Sequence, residues 1–223
     1  MQDLIASIRR NAVGLGLFAL VTAGAIAVAQ VTTADRIEHN IRMAQARALN
    51  ELVPVGSYDN DLLEDTLPVD SRFNQQMLGP LSEKDRIYLA RQQGNVTTVI
   101  LPVVAPDGYT TAIKLLVGIH ADGTLAGVRV TEHRETPGLG DKIDLKKSEW
   151  VLGFAGKSLD NPGEENWAVK KDGGAFDQFT GATITPRAVV KAVKLAQKFF
   201  AQHKDQLLGS RLVEPSSVGE SGE

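Results

Sequence analysis

The sequence predicts an α+β protein: a single N-terminal transmembrane helix, then a domain of antiparallel strands with flanking helices. Three observations carry that expectation. Ala12 to Ala29 is an uncharged run of eighteen residues rich in Leu, Val, Ala and Gly. Three segments rich in β-branched residues, NVTTVILPVVA, YTTAIKLLVGIH and TLAGVRVTEHR, are separated by the links PDG (106–108) and ADG (121–123). Near the C-terminus, Ala188, Val189, Val190, Ala192, Val193, Leu195 and Ala196 recur at helical spacing.

The apolar run is assigned to residues 12–31, near the low end of the roughly 17–25 residues that a spanning helix needs. The competing reading is a secretory signal peptide, with Arg9 and Arg10 as its basic region and small residues at Ala27 and Ala29. An uncleaved anchor is preferred because the run exceeds the usual h-region and a helix continues beyond it. Over residues 32–54, Ile37, Ile41, Ala44, Ala48 and Leu52 keep helical spacing until Pro54 ends it. Arg9 and Arg10 precede the span and Arg36, Arg42 and Arg47 follow it, so counting cations does not set the orientation.

Residues 55–94 read as irregular or helical. They begin with the acidic stretch SYDNDLLEDTLPVD and include a turn at Gly79-Pro80 and a short amphipathic segment. The three strands then form an antiparallel meander, since glycine-containing links of this length favour hairpins. Alternation in TLAGVRV places Leu125 and its period-two partners on one face. Loops follow, then a helix from Pro186 to about Gln206. Residues 95–207 are thus expected to form the folded domain. Residues 208–223, ending in LVEPSSVGESGE, lack apolar content and are expected to be a disordered tail.

Composition excludes several functions. There is no cysteine, which removes disulfides, thiol catalysis and iron–sulfur ligation by this chain. The formal net charge is −3 and no basic run is interleaved with aromatics, so nucleic acid is not an expected partner. GFAGKS (153–158) resembles the end of a phosphate-binding P-loop, but Val151 stands where the first glycine belongs. PGLG (137–140) lacks the third glycine and the βαβ setting of a dinucleotide fingerprint. The four histidines (39, 120, 133 and 203) show no ligand spacing, and no nucleophile elbow is present.

Two segments remain. ETPGLGDK, Glu135 to Lys142, follows a strand directly. It reads either as a rigid turn or as a loop whose glycines bring backbone close to a flat ligand. In the second reading Leu139 packs on that ligand and Glu135 and Lys142 supply charge. DGGAFDQFTGATITPR approaches the C-terminal helix. Simple capping would make Thr185 the N-cap and Pro186 the first helical residue. Alternatively, an anion sits at the helix N-terminus, with the Thr183 hydroxyl bonded or esterified to a phosphate and Asp177 available to a metal ion during attachment.

DQFTGATIT closely resembles the covalent flavin-attachment motif of the FMN-binding domain family. In that family an acidic residue precedes a Ser/Thr-Gly-Ala-Thr run whose last threonine takes FMN through a phosphodiester. Here the run is Thr180-Gly181-Ala182-Thr183, preceded by Asp177. ETPGLGDK resembles the family's flavin-lining loop, giving Glu135, Thr136, Gly138, Leu139 and Lys142 as further candidates. The resemblance extends over most of residues 95–200. With the anchor included, the whole chain is similar to the RnfG family, the G subunits of the Rnf ion-translocating electron transport complexes that link ferredoxin and NAD. The homologous C subunit of the sodium-pumping NADH:quinone reductase stands as the alternative.

The resemblance implies covalent FMN on Thr183 and electron carriage with no independent substrate chemistry. It also implies partner subunits of the Rnf complex and a flavin transferase for maturation. The expected location is the bacterial inner membrane, single-pass, with residues 1–11 cytoplasmic and the C-terminal domain periplasmic. The rival readings are a membrane-anchored scaffold or binding domain without cofactor, and a threonine hydrolase for which no general base can be named.

Overall fold

The computed structural model describes residues 2–210, and the chain divides after Gln45 into two compact units. Residues 211–223, most of the expected tail, lie outside the described residues. Helix α1 spans Gln2–Leu52 and is unbroken at Ala27 and Ala29. Within it, Asn11–Ala34 is long and apolar enough to cross a membrane, a few residues more than the expected 12–31. Its 24 residues would rise about 36 Å, against a hydrocarbon core of about 30 Å. Hydroxyl groups inside the span bond back to the helix. Thr22 Oγ1 donates to the Phe18 carbonyl at 2.9 Å and Thr32 Oγ1 to the Val28 carbonyl at 2.9 Å. Such bonds would satisfy the threonines in a setting without water.

The second unit, from Ala46, is built on a five-stranded antiparallel meander in the order β1-β2-β3-β4-β5. The strands are β1 Thr66–Pro68, β2 Arg86–Gln92, β3 Asn95–Ala105, β4 Ile113–His120 and β5 Leu125–Glu132. The expected three strands are present. However, the stretch read as irregular or helical over residues 55–94 supplies β1 and β2, so the sheet begins well before residue 95. A two-residue turn joins β2 to β3, with φ positive at both Gln93 (52°) and Gly94 (79°). That backbone matches the twist of the flanking strands.

Helix α2, Ile184–Leu208, covers one face of the sheet. Val99, Leu101, Val103 and Ala105 of β3 and Leu115, Val117 and Ile119 of β4 belong to a core shared with Val189, Val193, Ala196 and Phe199 of α2. Alternate residues Ile100 and Leu116 point the other way, into a second cluster with Leu49, Leu52, Val53 and Leu62. Burial on both faces explains why β3 reads as a nearly continuous apolar run. β5 departs from strict alternation. The register shifts so that Ile119 faces Leu125 while Gly118 faces Gly127, and Val128 joins Leu125 in the core. The bulge changes the phase of every later side chain. Gly118 and Gly127 also clear a notch, because a Cβ on either would lie 3.6 Å or less from Leu52. Beside it Arg129 donates to the Glu51 side chain at 2.8 Å and to the Glu51 carbonyl at 3.1 Å.

β2 carries a buried ion pair that gives its irregular neighbour a fixed place. Arg91 Nε lies 2.7 Å from Asp65 Oδ2, with side chains 2% and 8% exposed. Asn60 donates to the same carboxylate oxygen at 2.9 Å and accepts from the Arg91 N–H at 2.8 Å. Removing one partner strands the other charge in the interior. Asp65→Ala is expected to destabilise the domain by about 3–5 kcal/mol, read from denaturant unfolding of the detergent-solubilised protein.

Candidate functional site

The loop after β5 and the start of α2 are brought together by one buried carboxylate. Glu135 is 4% exposed. Its Oε1 accepts the Thr110 N–H at 3.0 Å, and its Oε2 accepts the Tyr109 N–H at 3.3 Å and the Thr185 hydroxyl. Three separate segments therefore meet at this side chain: the β3–β4 connection, the β5 exit and the first turn of α2. The Glu135 N–H itself donates to His133 Nδ1 at 3.2 Å.

The glycines of ETPGLG serve this junction in different ways. A Cβ on Gly140 would fall 2.8 Å from Thr185 Oγ1 and 3.0 Å from Glu135 Oε2, so the close approach requires glycine. Gly138 has φ 78° and open space beside it. The loop is closed by the Thr136 carbonyl, which accepts from the N–H groups of Leu139 and Gly140, each at 3.1 Å. Thr136, Gly138 and Leu139 are exposed, and Lys142 is half-buried. Leu139 reaches the segment that leads into α2: its Cδ2 would lie 3.7 Å from a Cβ placed on Gly181.

Aromatic side chains support the approach to α2. Phe176 and Phe179 are buried, while Asp177 and Gln178 between them are exposed. Trp150 contacts Phe179 edge-on at 5.1 Å and donates its indole N–H to the Asp177 carbonyl at 2.8 Å. The Asp177 carboxylate pairs with Lys170 Nζ at 2.6 Å. Next come exposed Thr180, Gly181 with φ 81°, and half-buried Ala182, whose N–H donates to the Phe179 carbonyl at 3.1 Å.

The helix start differs from the capping expectation. α2 begins at Ile184, so Thr183 occupies the N-cap position and Thr185 lies inside the first turn. Thr185 is 1% exposed and its hydroxyl is committed to Glu135. This contact between residues fifty apart overrides the local preference for a threonine just before proline. Pro186 is still accommodated, since the first turn does not use its missing N–H. Half-buried Thr183 makes no side-chain capping bond. The Glu135 carboxylate is turned inward to protein donors.

Below Thr183, Arg187 forms a two-pronged pair with Asp172, at 2.6 Å and 2.8 Å. The Arg187 hydrogen bond holds the Asp172 carboxyl below the ordinary carboxylate range, although both groups are solvated. A lowered folded-state value means that the pairing is present above the ordinary range and is lost as pH falls through the lowered one.

Sequence reasoning named Glu135 but missed Thr185 as its partner, and it missed the link to Tyr109 and Thr110. The signal available was Gly140, whose need for space shows only once Thr185 is placed beside it. Glu135→Ala would leave two backbone N–H groups and a buried hydroxyl unpaired. It is expected to cost about 2–4 kcal/mol in denaturant unfolding, with Glu135→Gln milder because one amide oxygen still accepts.

Comparison with known proteins gives this geometry a family. Residues 108–198 match the FMN-binding domain, and residues 1–52 match the RnfG N-terminal region. The chain is 54% identical to the G subunit of the ion-translocating oxidoreductase complex of Pseudomonas aeruginosa, covering 91% of this chain and 92% of that one. It is 47% identical to the protein of the same description from Pseudoalteromonas atlantica, covering 94% of each. Among solved structures, Shewanella oneidensis NqrC shares 23% identity and a TM-score of 0.47, covering 68% of this chain and 76% of that one. The chain belongs to the RnfG family, the G subunits of ion-translocating oxidoreductase complexes, and carries an FMN-binding domain.

Proposed function

We propose that this chain is a single-pass inner-membrane flavoprotein that carries electrons through FMN esterified to Thr183, as one subunit of a complex linking ferredoxin and NAD. The observation that supports the attachment point best is the Thr183 hydroxyl. It stands at the N-terminus of α2 without a capping bond, in the stretch that matches an FMN-binding domain.

The residues present fit the group. The first turn of α2 contains no acidic side chain, and the N–H groups of Ile184 and Thr185 belong to the set that a helix leaves without internal partners. They and the helix dipole favour a phosphate on Thr183. Gly181 and Ala182 keep the approach small. Leu139 flanks Gly181, and Gly138 leaves open space on the facing loop. In this reading Thr180, Gly181, Ala182 and Thr183 form the attachment segment. Thr136, Gly138, Leu139 and Lys142 line the ring side, and Glu135 positions both through Thr185 and Gly140. Bound FMN supplies one- and two-electron transfer, and the protein holds and orients it.

Maturation would use a separate flavin transferase, drawing FMN from FAD with Mg²⁺, that reads exposed Asp177 and Thr180 ahead of the acceptor. Placement of the domain on the periplasmic side fits a covalent link, since flavin lost there is not replaced from a cytoplasmic pool. The anchor of residues 11–34 would hold the flavin near its partner subunits.

Because Thr183 contributes no capping bond, Thr183→Ala should keep the fold and lose only the flavin. The test is co-expression with an active flavin transferase followed by fluorescence of the SDS-denatured band. A fluorescent wild type beside a dark Thr183→Ala is expected, with Thr183→Ser retaining some label. A dark wild type with an active transferase control would return the domain to a cofactor-free scaffold.

A further inference from the structure

Large apolar side chains left exposed on a folded domain are ordinary when scattered and informative when they gather. Among the described residues of the second unit, five are exposed: Val55, Tyr109, Leu139, Leu152 and Ile184. Three of these five adjoin the junction at Glu135. Tyr109 donates its N–H to that carboxylate, Leu139 precedes Gly140, and Ile184 precedes Thr185. Leu139 lies on the loop after β5, whereas Tyr109 belongs to the β3–β4 connection and Ile184 to the first turn of α2.

The β3–β4 connection runs alongside α2. Asp107 pairs with Lys191 Nζ at 2.6 Å. Two residues on, the N–H groups of Tyr109 and Thr110 are held by Glu135, which also takes the Thr185 hydroxyl. The connection therefore passes from the level of Lys191 to that of Thr185, toward the N-terminus of the helix. Gly108 makes the bend between these ties, since a Cβ there would lie 2.0 Å from the Thr111 carbonyl oxygen and 3.2 Å from Glu135 Oε1. Ile184 precedes Lys191 by seven residues, about two turns and about 10 Å along the same side of the helix. It stands on the flank that the connection follows, at the Tyr109 end. Tyr109 is 65% exposed and Ile184 45%, so an aromatic and a branched aliphatic side chain are left open beside Thr183.

A flavin tied through its phosphate to Thr183 has a flat ring with two apolar faces and only nearby surface to rest on. Covering Tyr109 and Ile184 removes apolar area from water, and aromatic rings favour offset stacking. We infer that Tyr109 and Ile184 form a wall of the flavin site, the Tyr109 ring lying against the isoalloxazine and Ile184 supporting its edge. The inference rests on the reading that FMN is attached at Thr183, and it brings the β3–β4 connection into the site. Tyr109 is tied to Glu135 through its backbone N–H alone, so its side chain can be changed while that bond is kept.

The test uses full-length protein in detergent, matured with or without the flavin transferase. The chain has three tyrosines, Tyr58, Tyr88 and Tyr109. Both forms are treated with tetranitromethane, and nitration of each tyrosine is followed by mass spectrometry. Tyr109 is expected to react readily in the flavin-free form and severalfold more slowly in the flavinylated one. Tyr58, which packs with the cluster on the other face of the sheet, keeps its rate. The flavin-dependent rise in Tm is expected to persist in Tyr109→Phe and to shrink in Tyr109→Ser and Ile184→Ser. Fluorescence of the denatured bands reports attachment separately. Equal nitration of Tyr109 in both forms, or an equal Tm rise in all the variants, overturns the inference and leaves the attachment intact when the bands are fluorescent. A dark wild-type band overturns both.

Discussion

The Glu135 carboxylate is the contact on which the site geometry depends. It is buried, and it is satisfied by the backbone of the β3–β4 connection and by the hydroxyl of Thr185. These bonds reach different parts of the chain, so this single side chain fixes the ETPGLG loop, the strand connection and the helix start relative to one another. Hydrogen bonds to a charged acceptor in a low-dielectric interior are strong, and their loss leaves several groups unpaired at once. Gly140 belongs to the same arrangement, because any side chain there would separate Glu135 from Thr185. The free hydroxyl of Thr183, two residues earlier, is a consequence: with Thr185 committed, α2 starts earlier and Thr183 is left at its end.

Around this junction the polar contacts are of unequal weight. The pairs Lys170–Asp177, Arg187–Asp172 and Lys191–Asp107 are all solvent-exposed on both sides, where measured ion pairs contribute about 0–1 kcal/mol. They trim the surface near the start of α2 without holding it. What holds the approach is the aromatic group of Trp150, Phe154, Phe176 and Phe179, with the Trp150 indole bonded to the Asp177 carbonyl. The buried rings of Phe154, Phe176 and Phe179 fix the backbone while the side chains of Asp177 and Thr180 stay exposed.

Much of this is legible in the sequence because it is local. The three central strands announce themselves through β-branched runs and glycine-containing links, and the C-terminal helix through its apolar spacing. The two glycine-bearing motifs stand out for the same reason. What stays hidden depends on partners far along the chain. β2 contains Arg91, which looks like a surface residue until Asp65 and Asn60 bury it. Simple alternation gives β5 the wrong phase because a bulge at Gly118–Gly127 makes room for Leu52, which lies on another element. Thr185 looks like a cap because nothing in its neighbourhood shows that Glu135 takes its hydroxyl.

The central claim is that one particular threonine, and not its neighbours, carries the flavin. Trypsin cleavage after Lys171 and Arg187 would release a peptide that contains Thr180, Thr183 and Thr185 together. Fragmentation of that peptide by tandem mass spectrometry distinguishes the three directly. The account predicts an added mass of one FMN less one water, confined to fragments that include Thr183, with Thr180 and Thr185 unmodified. The same mass on Thr180 or Thr185, or an unmodified peptide from protein matured with active transferase, would contradict it.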